Sequence, residues 1–175
     1  FQVKKATPQQ CTVTAPSGTL QGGTPFPTQP IVTVKDGAGV IIQSFAGAVT
    51  LANSDSGGSQ LQGSTTLVSS SLGIADFAGA GLKLATKGSY TLKATLDATP
   101  SVTCTNSASF EVVVGPSHHL TFDEQPLSVA AGSAINTTVS VRDAGENIVT
   151  SAATLVLAIS TGPSKVAGSS FEVLT

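Results

Sequence analysis

The sequence predicts an all-β protein made of tandem two-sheet β-sandwiches, one complete and one truncated. Three observations predict it. Short runs of alternating apolar and polar residues recur, separated by Gly, Pro, Asn and Asp turn signals. No stretch longer than a turn or two carries helical periodicity. The pattern also repeats itself: Phe1, Val3 and Cys11 recur as Phe110, Val112 and Leu120, each 109 positions further on. Such a period points to an array of similar modules.

Composition agrees with this class. Of the 175 residues 10% are charged and 40% hydrophobic. Ser and Thr together make roughly a quarter of the chain, so hydroxyls replace charges as the polar surface. The apolar content is too high for a disordered chain. With a net charge of −2 and eight Lys and Arg scattered along the sequence, there is no basic stripe to meet nucleic acid. No apolar run approaches the ~18 residues that a membrane-spanning helix needs. No signal-peptide pattern is read in these residues, and a start at Phe1 reads as a mature internal fragment of a parent that can be secreted.

In chain order, residues 1–6 read as the end of a preceding repeat, and 7–115 as a complete domain. CTVTA (11–15) alternates, with Cys11 and Val13 on one face. Pro16 to Pro30 is rich in Gly and Pro and is excluded from a sheet centre. IVTVKD (31–36) is a strand with Val32 and Val34 inward, and DGAG (36–39) is a turn. VIIQSF (40–45), AVTLA (48–52), LQG with TTLV (61–68), GIADF (73–77) and LKLA (82–85) read as further strands. Ala75 and Phe77 point inward in GIADF. In KGSYTLKATL (87–96), Tyr90, Leu92 and Ala94 share a face. Tyr90 opens a late strand after a Gly-containing bend, which fits the tyrosine corner of immunoglobulin-like sandwiches. The segment 101–114 closes the domain.

Residues 116–175 read as the first part of a second domain. LTFDEQP (120–126) matches CTVTAP, TVSVRD (138–143) matches IVTVKD, TLVLA (154–158) matches AVTLA, and SKVAGS (164–169) matches SQLQGS. The counterpart of GIADF through FEVVV would fall beyond Thr175, so the unit lacks its closing strands. The missing part is expected from a longer parent chain or a neighbouring molecule.

The chain resembles bacterial immunoglobulin-like repeats, the modules of invasin- and intimin-type adhesins and other surface arrays. The resemblance rests on LTFDEQP…AG (120–132), VSVRDAGENIV (139–149), GIADF (73–77), KGSYTLKA (87–94) and NSASFEV (106–112), in that family's order. It implies tandem immunoglobulin-like sandwiches with a spacer or display role, and no catalytic residue. Two departures stand out. Most relatives lack Cys11 and Cys104, and the DAGEN turn (143–147) has its Gly one place early. In sandwiches of this kind the first and last strands run side by side at one edge, which implies a Cys11–Cys104 disulfide. Two free buried thiols are the alternative.

Sites of chemistry are sparse. His118 and His119 are neighbours, expected to point to opposite sides of an extended chain as a solvated pair. No serine lies in a nucleophile elbow and no Gly-rich stretch resembles a phosphate loop. Asp36, Asp123, Glu124, Asp143 and Glu146 raise calcium, but no D-x-D-x-D run occurs, and the plain reading is turn-capping Asp. Neither metal nor cofactor is therefore expected. Asn136-Thr137-Thr138 is an N-glycosylation acceptor sequence, with Ile135, Val139 and Val141 inward and Asn136 facing solvent. The leading functional expectation is a structural repeat of an extracellular or cell-surface stalk, fibre or sheath. Its partners would be neighbouring repeats or copies of itself, with glycans as further contacts. An adhesin module binding a receptor or glycan, or an accessory domain of a secreted glycan-active enzyme, are the alternatives.

Overall fold

The computed structural model describes residues 7–54, 60–69, 72–98, 101–125, 127–130, 132–150 and 155–156. The described residues are all-β, as the alternating sequence demands. The strands are β1 (Gln10–Thr14), β2 (Ile31–Lys35), β3 (Ala48–Asn53), β4 (Thr66–Val68), β5 (Ile74–Asp76), β6 (Gly88–Tyr90), β7 (Leu92–Leu96), β8 (Val102–Thr103), β9 (Phe110–Val112), β10 (His119–Glu124) and β11 (Thr138–Arg142).

Two antiparallel sheets pack face to face to form a sandwich. One has the order β1-β2-β5 and the other β4-β3-β7-β8. Period-two patterning explains their packing, because every second residue turns inward. Val32 and Val34 of β2, Val49 and Leu51 of β3, and Leu92, Ala94 and Leu96 of β7 are all buried between the sheets. Ala75 and Phe77 join them, as their positions in GIADF predict.

β6 and β9 extend the β7–β8 pairing past a bulge. Thr95 faces Thr103, whereas Tyr90 faces Phe110, so the register slips by two residues on the closing strand. Ser107 sits in the slip, 7% exposed. Its Oγ accepts from the Leu92 N–H at 2.9 Å and donates to Ala108 O at 2.8 Å. A hydroxyl thus replaces a ladder partner that the bulge removed.

Tyr90 behaves as its bend predicts. Its ring is buried, 6.2 Å from Phe110, and its hydroxyl donates to Thr86 O at 2.9 Å, four residues upstream. Phe110 in turn meets Phe26 edge-on at 5.9 Å. Phe26 and Leu20 are core residues, although their Gly- and Pro-rich stretch contains no strand. The stretch is seated by single backbone contacts: Phe26 N–H to Leu82 O at 2.9 Å, and a parallel bridge from Gln21 to Val113.

Cys11 and Cys104 form the disulfide, with Cα atoms 4.8 Å apart and a sequence separation of 93. It joins the β1 sheet to the β7–β8 edge, where Thr12 also bridges Thr105 in parallel. Both cysteines are buried. A structural disulfide of this sort persists in non-reducing compartments.

Several expected strands are not strands. VIIQSF makes one bridge, Ile41 to Lys35, before turning at residues 43–44. LKLA and LQG meet only through a Gln62–Lys83 bridge. The physical reason is glycine: Gly63 (φ +102°) and Gly81 (φ +65°) break the extended run beside each.

β10 and β11 repeat the geometry of β1 and β2. Cys11 faces Val34 and Val13 faces Val32; at the matching positions Leu120 faces Val141 and Phe122 faces Val139. Gln9 N–H binds Lys35 O at 3.1 Å, and His118 N–H binds Arg142 O at 2.7 Å. The following turns agree too: Asp36 N–H to Val40 O is 2.9 Å, and Asp143 N–H to Asn147 O is 3.0 Å. Burial differs. Val141 is buried, but Leu120 is 56% and Phe122 42% exposed, so this apolar face is half open. Ile135, expected inward, is also exposed, because it precedes the strand rather than lying in it. The expected strand end at 1–6 and the match at 164–169 lie outside the described residues. So does all but residues 155–156 of the match at 154–158.

Two outcomes follow. Replacing both cysteines by alanine lowers unfolding free energy by up to about 4–5 kcal/mol in the loop-entropy account, read from denaturant titrations of the two forms. An unchanged stability would show that the edge holds without the bond. Tyr90→Phe costs about 1–2 kcal/mol, since Thr86 O loses a partner in a partly buried place. Thermal unfolding against the parent protein checks this.

Candidate functional site

Among the described residues the most elaborate polar structure is the joint between the sandwich and the β10–β11 pair. It is built on Asp143, the residue after β11, which is fully buried. A buried carboxylate is tolerable only when hydrogen bonds replace its hydration. Gly115 N–H donates to Oδ2 at 2.8 Å. Gly145 and Asn147 N–H donate to Oδ1 at 2.8 and 2.9 Å. Asn147 Nδ2 reaches both oxygens, at 3.0 and 2.9 Å.

Asn147 carries the contact across. Its Nδ2 donates to Ala85 O at 2.8 Å, and its Oδ1 accepts from Lys87 N–H at 2.8 Å. Ala85 and Lys87 belong to the loop that leads into β6. The side chain thus satisfies two backbone groups just before β6 while bracing the carboxylate that follows β11. Gly115 lies in the connection after β9, so one carboxylate ties turn and connector together.

Close approach explains the glycines. A Cβ on Gly145 would meet Ala85 O and come within 2.7 Å of Gly22 C and Gly23 N. One on Gly22 would collide with Asn147 Nδ2 and Ala85 O, and one on Gly23 with the Ala144 carbonyl. This resolves the early Gly of DAGEN. In the first unit's turn Gly39 takes the left-handed position at φ +83°, in open space. In the second, Gly145 is spent on packing one place earlier, and Glu146 takes the left-handed position at φ +67°. That conformation is uncommon for a residue with a side chain.

Electrostatics follow geometry. Burial pushes the Asp143 carboxyl up; the Gly115 N–H, the Asn147 side chain and the N–H groups of Asn147 and Gly145 outweigh it and hold the pKa below the ordinary carboxylate value. Asp123 is also held low, chiefly by its hydrogen bond from Arg142 at 2.7 Å, with Ser140 assisting.

The other sequence candidates are scattered. Asn136 is exposed, just before β11. Asp36 caps its own turn, accepting from Ala38 and Val40 N–H at 2.9 Å each. Among the described residues no group of three or more His, Cys, Asp or Glu side chains is arranged to hold a metal. His118 and His119 depart from expectation: their Nδ1 atoms lie 3.2 Å apart. His118 stands just outside β10, so strand alternation does not separate the rings. No local pattern marks Asn147, Gly22 or Gly23 beyond the displaced Gly of DAGEN. Neither a family model, nor a curated protein, nor a solved structure matches this chain.

Asp143→Asn keeps the shape and removes the charge. Amide exchange at Gly115 and Lys87 is expected to accelerate at least tenfold, with Val34 and Leu51 unchanged. Equal protection would mean the carboxylate is dispensable. For acid the sign is fixed by a lowered folded-state pKa. The contribution is complete above the ordinary carboxylate value of about 4, and is lost as pH falls through the lower folded value. Protection of Gly115 should therefore fall below about pH 4 in the parent protein, read by exchange at a series of pH values.

Proposed function

We propose that this chain is a stretch of tandem immunoglobulin-like modules, similar to bacterial immunoglobulin-like repeats, which acts as a structural element outside the cell. Such an element forms a stalk, fibre or sheath and turns over no substrate. The observation that carries the reading is the joint itself. A fully buried Asp143, braced by Asn147 against Ala85 and Lys87, is a costly device for joining two units. It has a purpose if their relative orientation matters.

Further support comes from the recurrence of strand register and turn bonding in the two units. The β1-β2-β5 and β4-β3-β7-β8 sheets, with a buried Tyr90 bonded to the bend before its strand, fit an immunoglobulin-like sandwich. The disulfide between the first and closing strands of the complete unit fits an oxidising, extracellular setting. The half-open face with Leu120 and Phe122 fits a unit that buries this face against further strands. Stacked modules of this kind need only neighbour contacts, so length grows without a new core.

Small-angle scattering tests the role. An end-to-end pair gives a radius of gyration clearly above the ~16 Å of a compact chain this long. Double substitution Asp143→Ala, Asn147→Ala broadens the distance distribution by freeing the joint. A compact radius in the parent protein, or identical profiles for parent and variant, would count against a stiff structural array.

A further inference from the structure

We propose that the edge of β11 turned away from β10 accepts an antiparallel strand from another polypeptide, and that this strand must open with glycine. The inference rests on a geometry that the chain shows twice, and not on the structural role. Along β2 the equivalent edge is filled. β5 lies there with Ala75 opposite Val32, and Val34 N–H donates to Gly73 O at 2.9 Å. Val34 O, on the same side, accepts from Ile42 N–H at 3.0 Å. Along β11 the second contact recurs: Val141 O accepts from Val149 N–H at 2.9 Å. The two backbone groups of a strand residue point the same way, so Val141 N–H faces this edge, as do both groups of Val139. Among the described residues no further strand lies along it, and the sheet is β10-β11 alone.

The neighbouring turn sets what can enter. Lys35 bridges Ile41 and Arg142 bridges Ile148, so Ile148 and Val149 stand beside β11 as Ile41 and Ile42 stand beside β2. Gly73 reaches Val34 only by passing close to that pair. A Cβ on it would collide with Ile42 O and come within 2.9 Å of Ile42 C and 3.1 Å of Ile41 Cγ2. Its φ of +70° is also one that residues with side chains rarely adopt. A strand residue bonded to Val141 N–H meets the Val149 carbonyl in the same way, so glycine is required at that place. The β11 of a second copy, TVSVR, holds no glycine and is excluded as the occupant.

The remaining positions follow from β5. Ala75 and Phe77 are buried, whereas Asp76 is exposed and accepts from Ala78 N–H at 2.9 Å. Opposite Val139 the incoming strand therefore presents a small residue, and two places further on a large apolar one. Both lie on the face of Val139 and Val141, which also carries the half-exposed Leu120 and Phe122. Apolar side chains arriving there leave water for an apolar surface. The partner is thus an extended segment of the pattern Gly-x-Ala-x-Phe. Ladder hydrogen bonds hold an added strand of this kind, and the alternate side chains select it.

The test is a magnetic-resonance titration of the isotope-labelled full chain with the synthetic peptide of residues 72–79, LGIADFAG. Saturable shifts are expected at the Val139, Val141 and Val149 amides. At saturation, exchange of the Val141 N–H should slow by about tenfold, with Val34 and Leu51 unmoved. A peptide carrying Gly73→Val should bind about tenfold more weakly, because its side chain meets the Val149 carbonyl. One carrying Ala75→Pro should give no protection, because it lacks the N–H that Val139 O takes. Unprotected Val141 at the highest peptide concentration, equal binding of the Gly73→Val peptide, or shifts confined to β4 and β5 would overturn the proposal. So would protection of Val141 that grows with protein concentration without peptide, since a second copy would then be the occupant. None of these outcomes bears on the scattering test, which reads Asp143 and Asn147 at the joint.

Discussion

A carboxylate stripped of water is the constraint around which the second half of this chain is arranged. Asp143 has its oxygens taken by backbone and amide donors from both sides of the joint. Those donors must converge within hydrogen-bond distance, so the turn, the connector and the first unit's loops must approach backbone to backbone. Side chains would prevent it, which is why Gly22, Gly23 and Gly145 line the contact. The strain appears one residue later, at Glu146. Packing and backbone conformation compete for one glycine, and packing takes it.

The comparison with the first unit's own turn makes the specialisation plain. Asp36 bonds its backbone as Asp143 does, at i+2 and i+4. Yet Val40 stands where Asn147 does, and it is 62% exposed. The capping chemistry is common to both turns, and the docking chemistry belongs to the second. An amide that can donate to one carbonyl and accept from one N–H converts a cap into a joint.

Within the first unit the closing strand carries the irregularities. A two-residue slip separates β8 from β9, and Ser107 fills the missing ladder position. Cys104 lies at the start of that slip, bonded to β1 across the sheet edge. Bulge and disulfide therefore occur together, where the chain leaves one pairing and takes up the next. Reading alternation alone predicts one closing strand from 101 to 114 and passes over this break, because a bulge is a property of two strands together. The same limit explains VIIQSF and LKLA. Their side-chain pattern suits a strand, but glycines with positive φ and the absence of a long partner leave each with a single bridge.

The amino-acid order alone determined the all-β class, the inward faces of β1, β2, β5 and β7, and the place of Tyr90. Each of these is local: period-two burial and turn chemistry act over a few residues. The repeat spacing likewise anticipated that β10–β11 would pair as β1–β2 do. Tertiary structure alone decided that Leu20 and Phe26 belong to the core, that His118 and His119 face each other, and that Asn147 spans the joint. These depend on groups far apart in sequence meeting in space, such as Asn147 with Lys87 N–H, 60 residues away. No periodicity encodes such a meeting. It arises because buried polar groups must find partners wherever the packed chain happens to bring them.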